Sequence, residues 1–387
     1  MQKKSLNEFN AELQANINNG EFEESISILS IAITQYPNEN KLKLNLGNVY
    51  KVLGQIDNAI NVYTTLLSTS LKNIANNNLS TIMLETGQIE KCINYARSAL
   101  EDNENYYDAK YNLALGLFEN KNYSESLNIC NDLLIEENYR DRAYELKIRV
   151  EQIICKWDHF SETQELLKIN EIIVHPFLHV SYVSDESSNC RNAKSWNKDV
   201  LSTKVNEQLI KTDNKIRLGF LCGEIRNHPT YYLIKNLFKK INKDTFSMYM
   251  FSYDHETGKK LHIEQDFNEF IDITPLNAAE SKDKIKSYDL DILIDLTTII
   301  SHNRSNIIHQ DIAKVIIAYL AFPGTTGSHI YDYILTDNVV TPLEKQKYYA
   351  EQFMFLPKTY QINNGEINID IKNERSEFNL PSDGIIL

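Results

Sequence analysis

The sequence predicts an α-helical superhelix followed by an α/β lobe built on a doubly wound parallel sheet. Two observations predict it. The first part repeats with a period near 34 residues, and from about residue 215 short apolar strands alternate with helices. At 387 residues the chain is long enough for two or three domains with sizeable cores.

The repeat is carried by "NNGEFEESISIL", "VLGQIDNAINVY", "ETGQIEKCINYA" and "ENKNYSESLNIC". Its turn positions are Gly20, Gly54, Gly87 and Lys121, spaced 34, 33 and 34 apart. Two residues on comes a large side chain (Phe22, Ile56, Ile89, Tyr123), and five residues on a small one (Ser25, Ala59, Cys92, Ser126). The turn glycines tolerate a left-handed backbone, and the small residues let a second helix sit close to the first. Two amphipathic helices at this period resemble the tetratricopeptide repeat, whose units stack into a superhelix with a concave groove. Pro37 fits the end of the first unit. The later units lack that proline, and a fifth half-unit is expected over Cys155–Leu167. One column stands out: Asn45, Asn78 and Asn112 fall at the same repeat position. A ladder of side-chain amides can clamp the backbone of an extended peptide whatever its side chains. The chain is also rich in asparagine, so the same residues read equally well as solvated.

Residues 168–212 read as a connector. "VHPFLHVSYVSDESSNCRNAKSW" is expected to be partly loop and "SWNKDVLSTKVNEQLIK" helical. Beyond it, "IRLGFL", "FSMYMFSY", "DILIDLT", "KVIIAYLAF" and "YDYILTD" read as strands. "TYYLIKNLFKKI", "AAESKDKIKSYDL" and "SNIIHQDIA" read as helices. The continuous apolar strands fit a sheet covered on both faces.

Ligands of such sheets bind beyond the carboxyl ends of the strands. Three loops meet that condition: "CGEIRNHPT" with His228, "DLTTIISHNRS" with Arg304, and "AFPGTTGSH" with Pro323 to Gly327. His228 precedes a proline suited to a first helical turn, so it is a helix cap, a ligand contact or both. The Pro-Gly-Thr-Thr-Gly segment is neither a Walker loop nor GxGxxG. It reads as a plain turn or as a place where backbone N–H groups meet an oxyanion or sugar hydroxyl.

The totals exclude several classes. A net charge of −13 argues against a phosphate-backbone binder, so no nucleic-acid partner is expected. No apolar segment follows Lys3 and Lys4, and no apolar run approaches the ~18 residues of a membrane span, so neither signal peptide nor span is expected. The five cysteines are scattered without a CxxC, which fits a reducing cytoplasm. His175 and His179 flank Pro176, and His255 and His262 have no ligand partners at a useful spacing. No metal site emerges, and no GxSxG, HExxH or cysteine–histidine signature occurs.

Taken together, the repeats, "CKWDHF", "IRLGFLCGEIRNHPTYYL", "DILIDLTTIISHNRS", "AYLAFPGTTGSHIYDYILTD" and "YYAEQFMFLPKTYQIN" resemble the O-linked N-acetylglucosamine transferases and their bacterial and SPINDLY-like relatives. The resemblance implies the first half of a GT-B glycosyltransferase: repeats over 1–167, the connector, an amino-terminal Rossmann-like lobe over 213–375, and the start of a second lobe over 376–387. It implies inverting transfer of one sugar from UDP-N-acetylglucosamine to serine or threonine hydroxyls of proteins, with no metal or other cofactor. It places His228 at the sugar as the catalytic candidate. Arg304, Leu320, Ala321, Pro323, Gly324, Thr325, Thr326 and Gly327 fall at the donor cleft, and Asn45, Asn78 and Asn112 on the acceptor peptide. Two positions depart from the family's pattern: Ile299 stands where relatives carry histidine, and Ala321 where they carry glycine. Since "LPSDGIIL" opens the family's second lobe, the chain is expected to be incomplete and inactive alone. The alternative is a non-catalytic repeat scaffold on a degenerate lobe.

Overall fold

The structure is a computed structural model that describes residues 4–197, 215–253, 263–300, 304–309, 311–362 and 374–385. The connector helix expected over "SWNKDVLSTKVNEQLIK" lies outside the described residues from residue 198 onward, as do His255 and His262.

Ten helices make the repeats. They alternate as α1 (Leu6–Asn19), α2 (Phe22–Gln35), α3 (Asn40–Val52), α4 (Ile56–Leu66), α5 (Lys72–Glu85), α6 (Ile89–Leu100), α7 (Tyr107–Glu119), α8 (Tyr123–Leu133), α9 (Glu137–Ile153) and α10 (Phe160–Lys168). Ser5 opens α1 with a capping box: its hydroxyl accepts from the Glu8 N–H while the Glu8 carboxylate accepts from the Ser5 N–H. The turn column has one backbone shape. Gly20, Gly54 and Gly87 have φ of 78°, 70° and 71°, and Lys121 follows at 62°. Cys155 continues it at φ 53°, which extends the period through the half-unit ending in α10. Ser25, Ala59, Cys92 and Ser126 are all completely buried, as close helix packing requires.

The connector departs from expectation. The stretch read as partly loop forms α11 (Pro176–Tyr182) and α12 (Glu186–Trp196). The cause is local capping: the His175 ring accepts from the Phe177 N–H, and the Asp185 carboxylate from the Ser188 N–H. Leu178, His179, Tyr182, Cys190 and Ala193 then supply a buried face.

The lobe is a seven-stranded, all-parallel sheet: β1 (Ile216–Cys222), β2 (Phe246–Ser252), β3 (Glu269–Asp272), β4 (Leu290–Asp295), β5 (Ala313–Ala318), β6 (Tyr333–Thr336) and β7 (Gln352–Phe355). Their order is β3-β2-β1-β4-β5-β6-β7. β3 and β7, four residues each, escaped the sequence reading. α13 (Pro229–Ile234) and α14 (Ala278–Lys286) are the α-helices of the lobe among the described residues. "TYYLIKNLFKKI" is helical only through Ile234, with a short 3-10 turn after it. "SNIIHQDIA" is no helix but a 3-10 turn, Ser305–Ile307, because its apolar residues Ile307, Ile308 and Ile312 are taken into the sheet's core just before β5.

Two apolar layers cover the sheet. Alternate residues of β1 divide between them: Phe220 and Cys222 join Phe238 and Phe267 on one face, while Leu221 joins Phe251, Leu293 and Ile316 on the other. The order reverses between β1 and β4, with β1 bonded to β2 on one side and β4 on the other. A crevice at the carboxyl ends of β1 and β4 is therefore the ligand position this topology dictates.

Candidate donor-sugar site at the strand-order reversal

His228 stands at that point. β1 ends at Cys222, and His228 is the N-cap of α13, in extended backbone with φ −140° and ψ 146°. Proline at the next position has no N–H to satisfy and pre-sets the first helical turn. The imidazole Nδ1 lies 3.3 Å from the Thr230 N–H and 3.3 Å from Glu224 Oε2. One nitrogen cannot serve both at once. Accepting from Thr230, it leaves the proton on Nε2, which then donates. Protonated and donating to Glu224, it leaves Nε2 as an acceptor. The His228 side chain is 35% exposed and that of Glu224 only 8%. Glu224 was missed by sequence reasoning. The available signal was an acid four residues before a histidine at a strand's carboxyl end.

The β4 loop is fixed from below. The buried Asp295 carboxylate accepts from the N–H groups of Thr297 and Thr298, at 3.0 Å each, and from the Tyr331 hydroxyl at 2.7 Å. Burial nevertheless pushes the Asp295 carboxyl up, and pushes Tyr331 well above its ordinary value. The Gly223 N–H donates to the Thr297 hydroxyl, joining the β1 and β4 loops. Thr298 sits at φ 48°, and Leu320, just past β5, at φ 75°. Non-glycine residues in that region are strained, and such strain concentrates at functional sites.

Three buried polar atoms here have no hydrogen-bond partner: Glu224 Oε2, which has only the close His228 ring, Ser252 Oγ and Thr298 Oγ1. They lie at or just past the carboxyl ends of β1, β2 and β4, three neighbouring strands. Native proteins satisfy nearly all such groups, so their concentration at one edge marks a place built for a polar ligand or ordered water.

Other expected site residues are employed differently. The Arg304 guanidinium is engaged within the fold. It donates to the carbonyls of Ile273 at 2.8 Å and Leu276 at 2.5 Å and to the Ser281 hydroxyl at 3.1 Å, so it clamps the β3–α14 turn. Thr325 and Thr326 are buried and turned inward. The Thr325 hydroxyl donates to Glu351 Oε2 at 2.7 Å, the Thr326 N–H to Oε1 at 2.7 Å, and the Thr326 hydroxyl to Oε1 as well. Neither hydroxyl is left for a sugar. Gly327, at φ 70°, lies flat against α12: a Cβ there would come within 2.5 Å of the Ala193 carbonyl carbon and the Lys194 nitrogen. The Asn197 amide donates to the Thr326 carbonyl, and the rings of Phe177 and Phe322 meet at 6.2 Å. The connector thus buttresses the loop. Leu320, Ala321, Gly324 and Gly327 are partly exposed and Pro323 is exposed, so these five are the accessible part of the segment. Ile299, at 3% exposure, is core rather than lining.

Among the other histidines, His179 is buried between the Asn189 side chain and the Leu167 carbonyl. His175 is a second His-Pro cap, and burial together with Arg149 pushes it down to about 4. No cluster of three potential metal ligands occurs among the described residues, and no described helix is long and apolar enough to cross a membrane.

In the repeats, the asparagine column is partly spent on the stack itself. Asn78 donates to Asn48 Oδ1 at 3.2 Å. Asn112 donates to Asn77 Oδ1, Ser80 Oγ and Thr81 Oγ1 at 2.9–3.1 Å. Asn78 and Asn112 therefore each brace the preceding repeat through the amide nitrogen.

Residues 194–377 match the model of glycosyl transferase family 41. The resemblance read from the sequence stands. A probable UDP-N-acetylglucosamine–peptide N-acetylglucosaminyltransferase, SEC of Arabidopsis thaliana, is 28% identical over 180 residues, covering 44% of this chain and 18% of that protein. A UDP-N-acetylglucosamine–peptide N-acetylglucosaminyltransferase of Caenorhabditis elegans is 23% identical over 237 residues, covering 54% of this chain and 20% of its own length. The chain thus spans about a fifth of these curated relatives. A mutant of the Thermobaculum terrenum O-GlcNAc transferase superposes with a TM-score of 0.54 at 19% identity, over 83% of this chain and 58% of that one. At that identity the likeness is one of fold: helical repeats joined to a Rossmann-like lobe.

Proposed function

We propose that this chain carries the acceptor-binding repeats and the first catalytic lobe of a protein glycosyltransferase. The reaction is transfer of a single N-acetylglucosamine from UDP-N-acetylglucosamine to serine or threonine hydroxyls, with inversion and without a metal. The observation that carries it is the concentration of buried Glu224, Ser252 and Thr298 oxygens without a hydrogen bond at the carboxyl ends of β1, β2 and β4, the Glu224 oxygen 3.3 Å from the His228 ring, at the strand-order reversal of a family 41 segment.

The acceptor hydroxyl oxygen attacks the anomeric carbon, the bond to the diphosphate breaks, and the hydroxyl proton must leave. His228 can serve in either tautomer. With Nδ1–H held by Glu224, Nε2 accepts a proton or a sugar hydroxyl; with Nδ1 on Thr230, Nε2–H donates to a sugar oxygen. The accessible edge Leu320–Gly324 supports one side of the sugar. In the groove, the amide nitrogens of Asn78 and Asn112 are occupied, so the column offers carbonyl oxygens to the N–H groups of an extended acceptor.

The test is transfer of radiolabelled sugar from UDP-N-acetylglucosamine to a protein acceptor by the whole gene product. Removing one general acid–base group costs about 10²–10⁴ in rate, so His228→Ala should lower kcat by that order. Glu224→Gln should lower it less. Unchanged transfer by His228→Ala removes this residue from the site. Absence of transfer by the unmodified protein, with peptide binding intact, favours the scaffold alternative, which the structural use of Arg304, Thr325 and Thr326 supports.

A further inference from the structure

The concave groove is not uniform along its length. Between α1 and α3 it deepens into a cavity of about 400 Å³. Its apolar lining is Leu13, Ile17, Phe22, Val49 and Val52. Its polar lining is four side-chain amides, Asn10, Gln14, Asn45 and Asn48. No ionisable side chain lines it, in a chain of net charge −13. Ile17 and Val52 are 37% and 60% exposed, so part of the apolar lining is open to solvent at the cavity mouth.

The other end of the groove differs. Counting back six residues from each turn position gives Gln14, Asn48, Thr81, Leu115 and Arg149. The column that lines the cavity at Asn48 therefore ends, on α9, in a guanidinium, which rests over the Phe118 ring at 4.7 Å. A charged side chain entering the cavity would lose hydration with no counter-charge, whereas a carboxylate near Arg149 would gain one. Neighbouring packed helices lie about 8–10 Å apart, so the three steps from α3 to α9 come to about 30 Å, roughly nine extended residues.

We propose that the α1–α3 cavity is an anchor subsite for one large, uncharged apolar side chain of an extended polypeptide, whose backbone follows Asn45, Asn78 and Asn112 and which carries an acidic residue about nine positions away, at Arg149. The proposal rests on the acceptor-groove reading above and adds to it a selection rule. An asparagine column reads backbone and is blind to side chains; the cavity and Arg149 make the groove choose among sequences and fix the register of the segment delivered to the lobe.

The test uses fluorescein-labelled, otherwise neutral 15-residue peptides, in both chain directions, titrated by fluorescence anisotropy against the full chain. One carries leucine and aspartate nine residues apart; companions replace leucine by alanine or aspartate by lysine. Burying a leucine side chain in place of alanine should tighten binding about tenfold or more. Lysine for aspartate should weaken it several-fold, and more at low salt. Val52→Lys fills the cavity mouth at an exposed position and should abolish the leucine preference while leaving the alanine peptide unaffected; Ile17→Ser should reduce it. Asn78→Ala should weaken all peptides alike. If no peptide binds the unmodified chain, the acceptor-groove reading falls and this proposal with it. If peptides bind without preferring leucine, or the preference survives Val52→Lys, the anchor subsite alone is overturned. A change of mass in light scattering on Val52→Lys would also overturn it, by showing the cavity to be a contact between copies of this chain.

Discussion

Replacing Glu351 by alanine should cost more stability than any exposed substitution in the lobe. The carboxylate is fully buried and collects the Thr325 hydroxyl, the Thr326 hydroxyl and the Thr326 N–H. The Thr325 oxygen in turn accepts from the N–H groups of Gly327 and Ala350, so one side chain organises the whole turn. Alanine orphans three buried donors at about 1–3 kcal/mol each. The hydroxyls can partly re-aim, so a net loss of about 4 kcal/mol is expected, in the range found for breaking buried charged networks. Glutamine keeps one acceptor oxygen and should lose only about 1–2 kcal/mol. The assay is urea unfolding of the full chain followed by tryptophan fluorescence. Trp196 ends α12, the helix the loop leans on, and reports its release. With a slope of about 2–3 kcal/mol per molar urea, alanine should lower the midpoint by roughly 1–2 M. A shift below about 0.3 M, or equal shifts for alanine and glutamine, would refute the reasoning.

Three further outcomes are expected. Arg304→Lys should lose about 1–3 kcal/mol in urea unfolding by releasing the β3–α14 turn, and should leave the affinity for UDP-N-acetylglucosamine, measured calorimetrically, unchanged. Gly327→Ala should cost about 3 kcal/mol or more, because the strained φ is compounded by a collision with the α12 backbone; Gly20→Ala, with a similar φ but open space around it, should cost only about 1 kcal/mol in the same unfolding assay. His175 is held at about 4 in the folded chain against an ordinary 6.5, so its contribution is complete above 6.5 and is lost as pH falls towards 4. At about 1.4 kcal/mol per unit that loss reaches about 3 kcal/mol, and His175→Gln should flatten the pH dependence of the urea midpoint over this window.

The repeat periodicity was fully legible, because turn and small-residue columns recur in sequence and each meets a fixed steric demand. The strands β1, β2, β4 and β5 were legible as continuous apolar runs. β6 was legible too, as a short apolar run, whereas β3 and β7, equally short, were not: they mix buried or half-buried positions with exposed ones. The two connector helices hid behind His-Pro and Ser-rich text that local propensity reads as loop, although capping at His175 and Asp185 and burial on the neighbouring layers make them helical. At the site, chain order and the strand-end rule placed His228 where the topology reverses. They could not reveal that Arg304, Thr325 and Thr326 spend their polar groups inside the fold. Residue type announces a capacity for hydrogen bonding, and only the neighbours decide who uses it. Glu224 was the converse case, an unremarked acid made conspicuous by a buried oxygen whose close neighbour is the His228 ring.

The contact at Gly327 has a mechanical consequence. With no space for even a methyl group between this turn and α12, the turn and the connector behave like two plates bolted face to face, without a washer. A bend in the repeat coil transmitted to α12 would be passed on as displacement of the Pro323–Gly327 rim, undiminished by any soft layer. Loading the groove would then strain the rim of the crevice, as pulling a bow's string moves its tips.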